Sequence, residues 1–315
     1  MTAKKDQERM AAMDEYQSLP AHCRKVSTVR LNAMLAVLAG FALTAAAAAQ
    51  SGVERKEVRL DLASGGTIHV VDNTGSVTLR AENGHQVVVA YTLHSGKMQV
   101  DSESTPDRRR IEIRADAVAD QKPTPDEAKV DLEISVPPGT SLTVNTATAP
   151  ITANGISGDL TLSSDTGQIT LKDITRSHVH VRSVMAPVNL DNISLGHVEV
   201  TSSGGAVKLV DVSGPKVNIA TGSGDISYQG DCSGVGDYLM TTHSGNIDMR
   251  LPQTASVDLN ARSVSGRVEN DFPLKASKHP MFVPKAGSSF AGTSNSGSSS
   301  VELRSFSGRI RVTKQ

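Results

Sequence analysis

The chain has 315 residues, no Trp, only 3% aromatic residues and a formal net charge of −1. That poverty of rings argues against single-stranded nucleic-acid binding and carbohydrate cleavage, which favour stacking platforms. The near-neutral balance leaves no basic stripe for a nucleic-acid footprint. Length alone permits one long domain or two ordinary ones.

The first element is an apolar run, Met34–Leu43, followed by Thr44 and Ala45–Ala49, with Arg24, Lys25 and Arg30 upstream. Small residues before Gln50 fit a cleavage site, so residues 1–49 read as a secretory signal peptide with a long polar n-region. Met10 and Met13 are alternative starts. The other reading is an N-terminal membrane anchor over residues 33–49, whose 17 residues lie at the short edge of what crosses a bilayer. No Cys follows the run, which argues against a lipid anchor. Beyond residue 49 remain 26 of the 32 Lys/Arg and 29 of the 33 Asp/Glu, about −3 in all. Cys232 is the sole Cys there, so an intrachain disulfide is excluded and a small buried thiol is expected.

Residues 50–57 read as a linker and 58–137 as an N-terminal β part. Strand-like runs are Arg59–Leu62, Thr67–Val71, Ser76–Arg80, Gln86–Leu93, Arg110–Arg114 and Lys129–Val136. Ile68 and Val77 stand nine apart, and Val89 with Met98 suggests a second copy of the same unit. Ser102–Arg109 and Ala117–Ala128, carrying Pro106, Pro123 and Pro125, read as loops.

Residues 138–315 carry the strongest signal. Ile151, Ile169, Val188, Val207, Ile226, Ile247 and Val268 are 18, 19, 19, 19, 21 and 21 residues apart. Such a period marks a stacked repeat. Nine residues before each stands Leu142, Leu160, Val179, Val198, Val217, Tyr238 or Leu259. The constant offset predicts two short strands joined by a corner of fixed length. Alternation within them, as in Val179-His180-Val181 and Val188-Asn189-Leu190, places one face inside and one outside. Ile156, Ile174, Ile193 and Val212 add a third apolar column.

Gly167, Gly205, Gly224, Gly245 and Gly266 mark the corners, where a residue at positive φ is expected. Ala149-Pro150 and Ala186-Pro187 break that pattern. Each coil buries four to five aliphatics, at about 1.5–3 kcal/mol apiece. Ordering roughly twenty residues costs at least as much, so a coil has to stack to be stable. Phe272–Gly297, with three Pro and a Ser/Gly run, reads as an excursion (residues 272–297) from a stack ending near Asp271, which Val301–Val312 rejoins and closes.

Three groups invite chemistry. His178 and His197 share an outward column, with His180 nearby, where coil spacing near 4.8 Å suits a shared metal. That column is read as continuing to Lys216 without a carboxylate, so a solvated face is expected. Asp173, Asn192 and Asp211 form a ladder that lacks the Gly-rich nonapeptide of calcium-binding β-rolls; Asx residues that bond their own backbone at turns account for it. His243 beside Ser244 is a corner neighbour. The sequence contains no Gly-x-Ser-x-Gly elbow, P-loop, CxxC or HExxH. No catalytic, cofactor-binding or metal residue is assigned, and no cofactor is expected.

Val136-Pro137-Pro138-Gly139, Leu142-Thr143-Val144, the Gly-x-aliphatic corners, Leu251-Pro252, Ser263-Val264-Ser265-Gly266, Asp271-Phe272-Pro273-Leu274 and the closing Val301–Val312 resemble, in that order, the bacterial "putative adhesin" family of β-solenoid-like domains. The likeness runs from about Gly65 to Val312. It implies the fold and supplies no catalytic residues.

The reading is thus an all-β chain with a single elongated β-solenoid-like domain of coils about 19–21 residues long, preceded by a signal peptide. It is an exported, non-enzymatic envelope or surface protein in the periplasm, outer envelope or medium, binding an unknown protein or glycan. It touches a membrane only through residues 33–49 if they are not cleaved. A self-assembling envelope element and a polysaccharide-acting enzyme are the alternatives. The enzyme requires charged side chains clustered across adjacent coils, and the sequence offers only scattered ones. N-terminal sequencing of the exported protein should find Gln50 at or near its start; residues 1–49 still attached in a membrane pellet would establish the anchor instead.

Overall fold

The computed structural model describes residues 53–277 and 281–315; the expected signal peptide or anchor lies outside the described residues. Residues 51–315 form one compact unit. Its N-terminal part contributes β1 (Glu54–Asp61), β2 (Thr67–Asp72), β3 (Gly75–Ala81), β4 (Gln86–Leu93), β5 (Met98–Ser104), β6 (Arg110–Ala117) and β7 (Val130–Val136). Two-strand coils follow: β8 (Ser141–Thr146) with β9 (Ile151–Asn154), β10 (Leu160–Ser164) with β11 (Ile169–Thr175), and β12 (His178–Ser183) with β13 (Val188–Ser194). Next come β14 (His197–Ser202) with β15 (Val207–Val212), β16 (Lys216–Thr221) with β17 (Ile226–Gln229), and β18 (Asp237–Thr242) with β19 (Ile247–Leu251). The chain ends in β20 (Val257–Ser263) with β21 (Val268–Asn270), β22 (Lys275–Ala276) with β23 (Ser289–Thr293), and β24 (Ser299–Ser305) with β25 (Ile310–Lys314). Among the described residues no helix is long and apolar enough to cross a membrane.

The first strand of each coil joins one sheet and the second joins the other, and the sheets enclose the core. Through the regular coils the pairing is parallel and in register. Leu142, Leu160, Val179, Val198, Val217 and Tyr238 stand side by side in one sheet. Ile151, Ile169, Val188, Val207, Ile226 and Ile247 do so in the other. Both columns are buried, as are Ile156, Ile174, Ile193 and Val212, while Glu199 and Lys208 are exposed. The all-β solenoid-like reading and its core columns hold.

The order of coils departs from the sequence at both ends. At the C-terminal end, Val301 pairs with Tyr238 on one side and Leu259 on the other, and Ile310 lies between Ile247 and Val268. β24 and β25 are therefore inserted into the stack rather than closing it. The excursion also returns a strand: β23 runs antiparallel to β20 and covers the outermost coil. At the N-terminal end, β2 and β3 are flanked by β8 and β9 on one side and by β6 and β7 on the other. β4 and β5 are not a second copy of the parallel coil, since they run antiparallel to β7 and β6. β1 starts at Glu54, inside the expected linker, and β5 extends to Ser104, inside an expected loop. Antiparallel partners cover three edges of the parallel stack, β7, β6 and β20, while β21 remains a sheet edge; the edge strand β1 carries Glu54, Arg55, Lys56 and Glu57, charges that discourage edge pairing.

The corner glycines are equivalent from coil to coil, but for a different reason from the expected one. Positive φ is found at Gly65, Gly75, Gly139, Gly155, Gly234, Gly287 and Gly297, and not at Gly167, Gly205, Gly224, Gly245 or Gly266. What these corners require is close approach. A Cβ on Gly205 would lie 2.0 Å from the Ala186 carbonyl oxygen, and one on Gly224 would lie 2.1 Å from that of Gly205. Each corner carbonyl is also held by a buried hydroxyl three residues earlier: Ser183 Oγ donates to Ala186 O at 2.6 Å, Ser202 Oγ to Gly205 O at 3.0 Å and Thr221 Oγ1 to Gly224 O at 2.7 Å. These bonds satisfy carbonyls at the turn, which burial would otherwise make costly. Replacing Gly224 with Ala should destabilise the fold by about 1–3 kcal/mol through overpacking. The same change at Gly84, where a Cβ meets nothing within 4 Å, should leave the urea midpoint nearly unchanged. Equal midpoints for the two variants would refute the close-approach explanation.

Candidate functional site

The histidine column is richer than the sequence reading allowed. Asp159 lies in it, 19 residues before His178, and its Oδ1 is 3.1 Å from His178 Nδ1. Asp237 follows Lys216 in the same column. The reading that no carboxylate stands there is therefore wrong. The His178 and His197 rings meet edge to face with centroids 5.0 Å apart. His180 is engaged separately, with Nδ1 3.3 Å from Glu199 Oε2 and Nε2 accepting from Arg182 Nε at 3.0 Å. The result is a surface network of polar side-chain contacts. Among the described residues no group of three or more His, Cys, Asp or Glu is arranged to hold a metal.

The Asx ladder has a backbone cause. Asp173, Asn192 and Asp211 have φ of 54°, 54° and 50°, and Gly155 one coil earlier has 70°. Asp, Asn and Gly are the residues that tolerate this left-handed conformation best. Asn192 Nδ2 also donates to Asp173 Oδ1 at 2.6 Å. Cys232 is buried, and burial pushes its thiol pKa up to about 12, away from thiolate chemistry. His243 stacks face to face on Phe306 with centroids 4.8 Å apart.

Near the N-terminal end, Ser76 Oγ donates to Asp131 Oδ1 at 2.6 Å, and Asp131 Oδ2 lies 2.7 Å from His94 Nε2. The carboxylate stands between hydroxyl and imidazole. A serine nucleophile needs the imidazole in that middle place to take its proton, so these three residues form a structural bridge.

A concavity lies at the other end. β20 and β24 are neighbours, and alternation turns Arg262 and Arg304 outward beside each other. Val264 and Phe306 follow at the corner, both exposed. The excursion folds back over this face, its Met281 N donating to the buried Asn260 Oδ1 at 3.4 Å. Between them lies an open cleft of about 660 Å³ lined by Arg262, Val264, Met281, Phe282, Glu302 and Arg304. Glu302 pairs with Arg304, whereas Arg262 has no carboxylate partner among the described residues. The sequence reading found only scattered charges, and this pair escaped it because its members come together through the inserted coil.

Residues 66–313 match the family described as Toastrack DUF4097. The chain belongs to that family. The Toastrack match covers nearly all of the stretch on which the sequence resemblance was read. No curated protein matches the chain. Among solved structures it is similar to a "putative cell adhesion protein" from Clostridium sporogenes, with 11% identity, coverage of 83% of this chain and 100% of that one, and a TM-score of 0.30. It is also similar to a "putative lipid binding protein" from Parabacteroides distasonis, at 10% identity, 83% and 97% coverage and a TM-score of 0.40. A "putative adhesin" from Bacteroides fragilis gives 10%, 82% and 97%, and 0.40.

One buried group in this Toastrack domain is out of keeping with its column. Ile68 is in register with Leu142, so Asp72 takes the place that Thr146, Ser183 and Ser202 fill in later coils. Its side chain is buried; Oδ1 accepts from Thr74 N at 3.2 Å, and Oδ2 has no partner. Burial raises its pKa to about 7, the Thr74 N–H works against that rise, and the Asp131 carboxylate adds to it. The unfolded carboxyl ionises near 3.9, so the folded state favours the protonated form. Its contribution is complete below about pH 4 and is lost as pH rises through about 7. Asp72→Asn should therefore raise the melting midpoint at pH 8–9 and flatten its fall between pH 5 and 8, a difference of up to a few kcal/mol. Parallel stability curves for the two proteins would count against an ionising Asp72.

Proposed function

We propose that this Toastrack protein is an exported, non-enzymatic binding scaffold of the cell envelope or surface. It is released after cleavage near Gln50 or, alternatively, held at the inner membrane by residues 33–49. The observation that carries the reading is where space and polar groups are found. The interior is filled by columns of Val, Ile and Leu that are almost wholly buried. A cleft opens on the outer face, where the excursion meets the last coils. A rigid stack that offers exposed polar columns along its length suits broad contact with a protein or glycan more than chemistry in a closed pocket. The Ser76–Asp131–His94 bridge, the closest approach to a catalytic set, has its groups in the wrong order for nucleophile activation. The antiparallel cover on β6, β7 and β20 and the charged β1 weigh against end-to-end assembly.

The excursion is the favoured contact region, since long connections on rigid scaffolds are where binding concentrates. The immobilised full chain should capture a component of envelope extracts. Replacing residues 277–287 with a short Gly-Ser linker should weaken capture while cooperative melting is kept. Single Ala changes at Glu199 or Lys208 should alter capture only slightly. Hydrolysis of an envelope polysaccharide by the purified chain, abolished by one point substitution, would overturn the non-enzymatic reading.

A further inference from the structure

We propose that the cleft between the excursion and the outer face of β20 and β24 binds one single-chain anionic amphiphile. Its carboxylate or phosphate head would lie on Arg262 and Arg304, and its chain along Val264, Met281 and Phe282. The proposal rests on the surface-binding reading and names the ligand class for one part of that surface.

The charge argument comes first. Arg262 and Arg304 are direct register partners on adjacent parallel strands, where neighbouring chains run about 4.8 Å apart. Like charges set opposite each other in a sheet repel. Glu302 neutralises Arg304, and Arg262 is left without a carboxylate among the described residues. Arg304 is engaged with Glu302, so the guanidinium fork of Arg262 is the free one, and it presents several N–H donors to an oxyanion, the arrangement best suited to a carboxylate or phosphate.

The apolar argument is independent. Nine large hydrophobic side chains are exposed among the described residues, and four of them, Val264, Met281, Val283 and Phe306, belong to the last coils and the excursion. Four of the five Phe in the whole chain, Phe272, Phe282, Phe290 and Phe306, fall within 272–306. Phe272 is buried and Phe290 packs against the core, so of these rings only Phe282 lines the cleft and only Phe306 is exposed; with Val264 and Met281 they make exposed apolar surface of the kind that marks a binding site. The volume of about 660 Å³ lies within the range that encloses one small ligand. A neutral glycan would leave Arg262 without a counter-charge. A nucleic acid would need the positive potential to continue along the stack, whereas the outward residue beside Arg304 on the inner side is Thr241.

Isothermal titration calorimetry of the full chain with sodium dodecanoate, kept below its aggregation concentration, tests the idea. Saturation at one dodecanoate per chain is expected. Sodium acetate, inorganic phosphate and dodecyltrimethylammonium should each bind at least about tenfold more weakly, because each lacks the chain or the negative head. R262Q/R304Q, at two exposed positions, should weaken dodecanoate by about tenfold or more with an unchanged melting midpoint. Met281→Gln should weaken it without touching the charges, and so serves as the second variant. The proposal is overturned if dodecanoate fails to bind, if the cationic chain binds as well, or if both variants bind like the parent. It is equally overturned if the chain sediments with phosphatidylglycerol vesicles yet ignores dodecanoate, which would assign the face to a membrane surface. Capture from envelope extracts with no dodecanoate binding would remove the ligand class and leave the scaffold reading standing; loss of both would remove both.

Discussion

Successive coils approach closely at the corner between their two strands, where the carbonyl of one coil faces the Cα of the next. A Cβ on Gly205, Gly224 or Gly245 would sit 2.0–2.1 Å from that oxygen, so the separation of the coils and the absence of side chains at this position are one constraint. Close approach of the same kind recurs on the other connection, at Gly158, Gly196, Gly214 and Gly236. The corner has to deliver its carbonyl to the same height in every coil, and a Ser or Thr three residues earlier fixes that carbonyl in place. Drift in the repeat, from 18 to 21 residues, is absorbed on the other side of the coil. The aliphatic columns can then stack Val on Val and Ile on Ile in register, which supplies the burial that a lone coil lacks.

A stack held together in this way is vulnerable at its ends, where the last coil has no neighbour. Here neither terminal coil of the chain is the terminal coil of the stack. β2 and β3 lie inside β6 and β7, and β24 and β25 lie inside β20 and β21. Beyond them, the antiparallel strands β4, β5 and β23 pair with β7, β6 and β20, while β1 and β21 are the edges of their sheet. Releasing β2 and β3 or β24 and β25 therefore requires breaking ladders on two sides, which opposes fraying of these coils.

The sequence disclosed the members of each column and concealed their order. Periodicity identifies Val301 as the equivalent of Tyr238 and Leu259, but equivalence is symmetric and says nothing about which coil stands between the others. The antiparallel sense of β4 and β5 was hidden in the same way, because alternation reads alike in both directions. The glycines were located correctly and explained wrongly. Gly is demanded both by positive φ and by close approach, and only coordinates distinguish the two at Gly224. Left-handed backbone was instead carried by Asp173, Asn192 and Asp211, whose short polar side chains signalled a turn. Asp159 was legible and overlooked: counting back 19 residues from His178 reaches it. Asp72 was less accessible, since its column is otherwise filled by hydroxyls and only burial shows that a carboxyl has taken one of their places.

The same threading explains why the candidate site could not be read from sequence. Had the coils stacked in chain order, β20 would lie against β18 and Arg262 would face Thr241, an ordinary mixed surface. With β24 inserted, Arg262 faces Arg304 and Val264 follows Phe306 along the corner. The excursion that makes the insertion possible has to travel back over that face to bring β24 into place, and on the way it sets Met281 and Phe282 beside the two guanidinium groups. Locking the end of the stack and building the cleft are thus consequences of one chain path. A change that let β24 and β25 detach would separate Arg262 from Arg304 while the coils from β8 to β19 kept their own ladders.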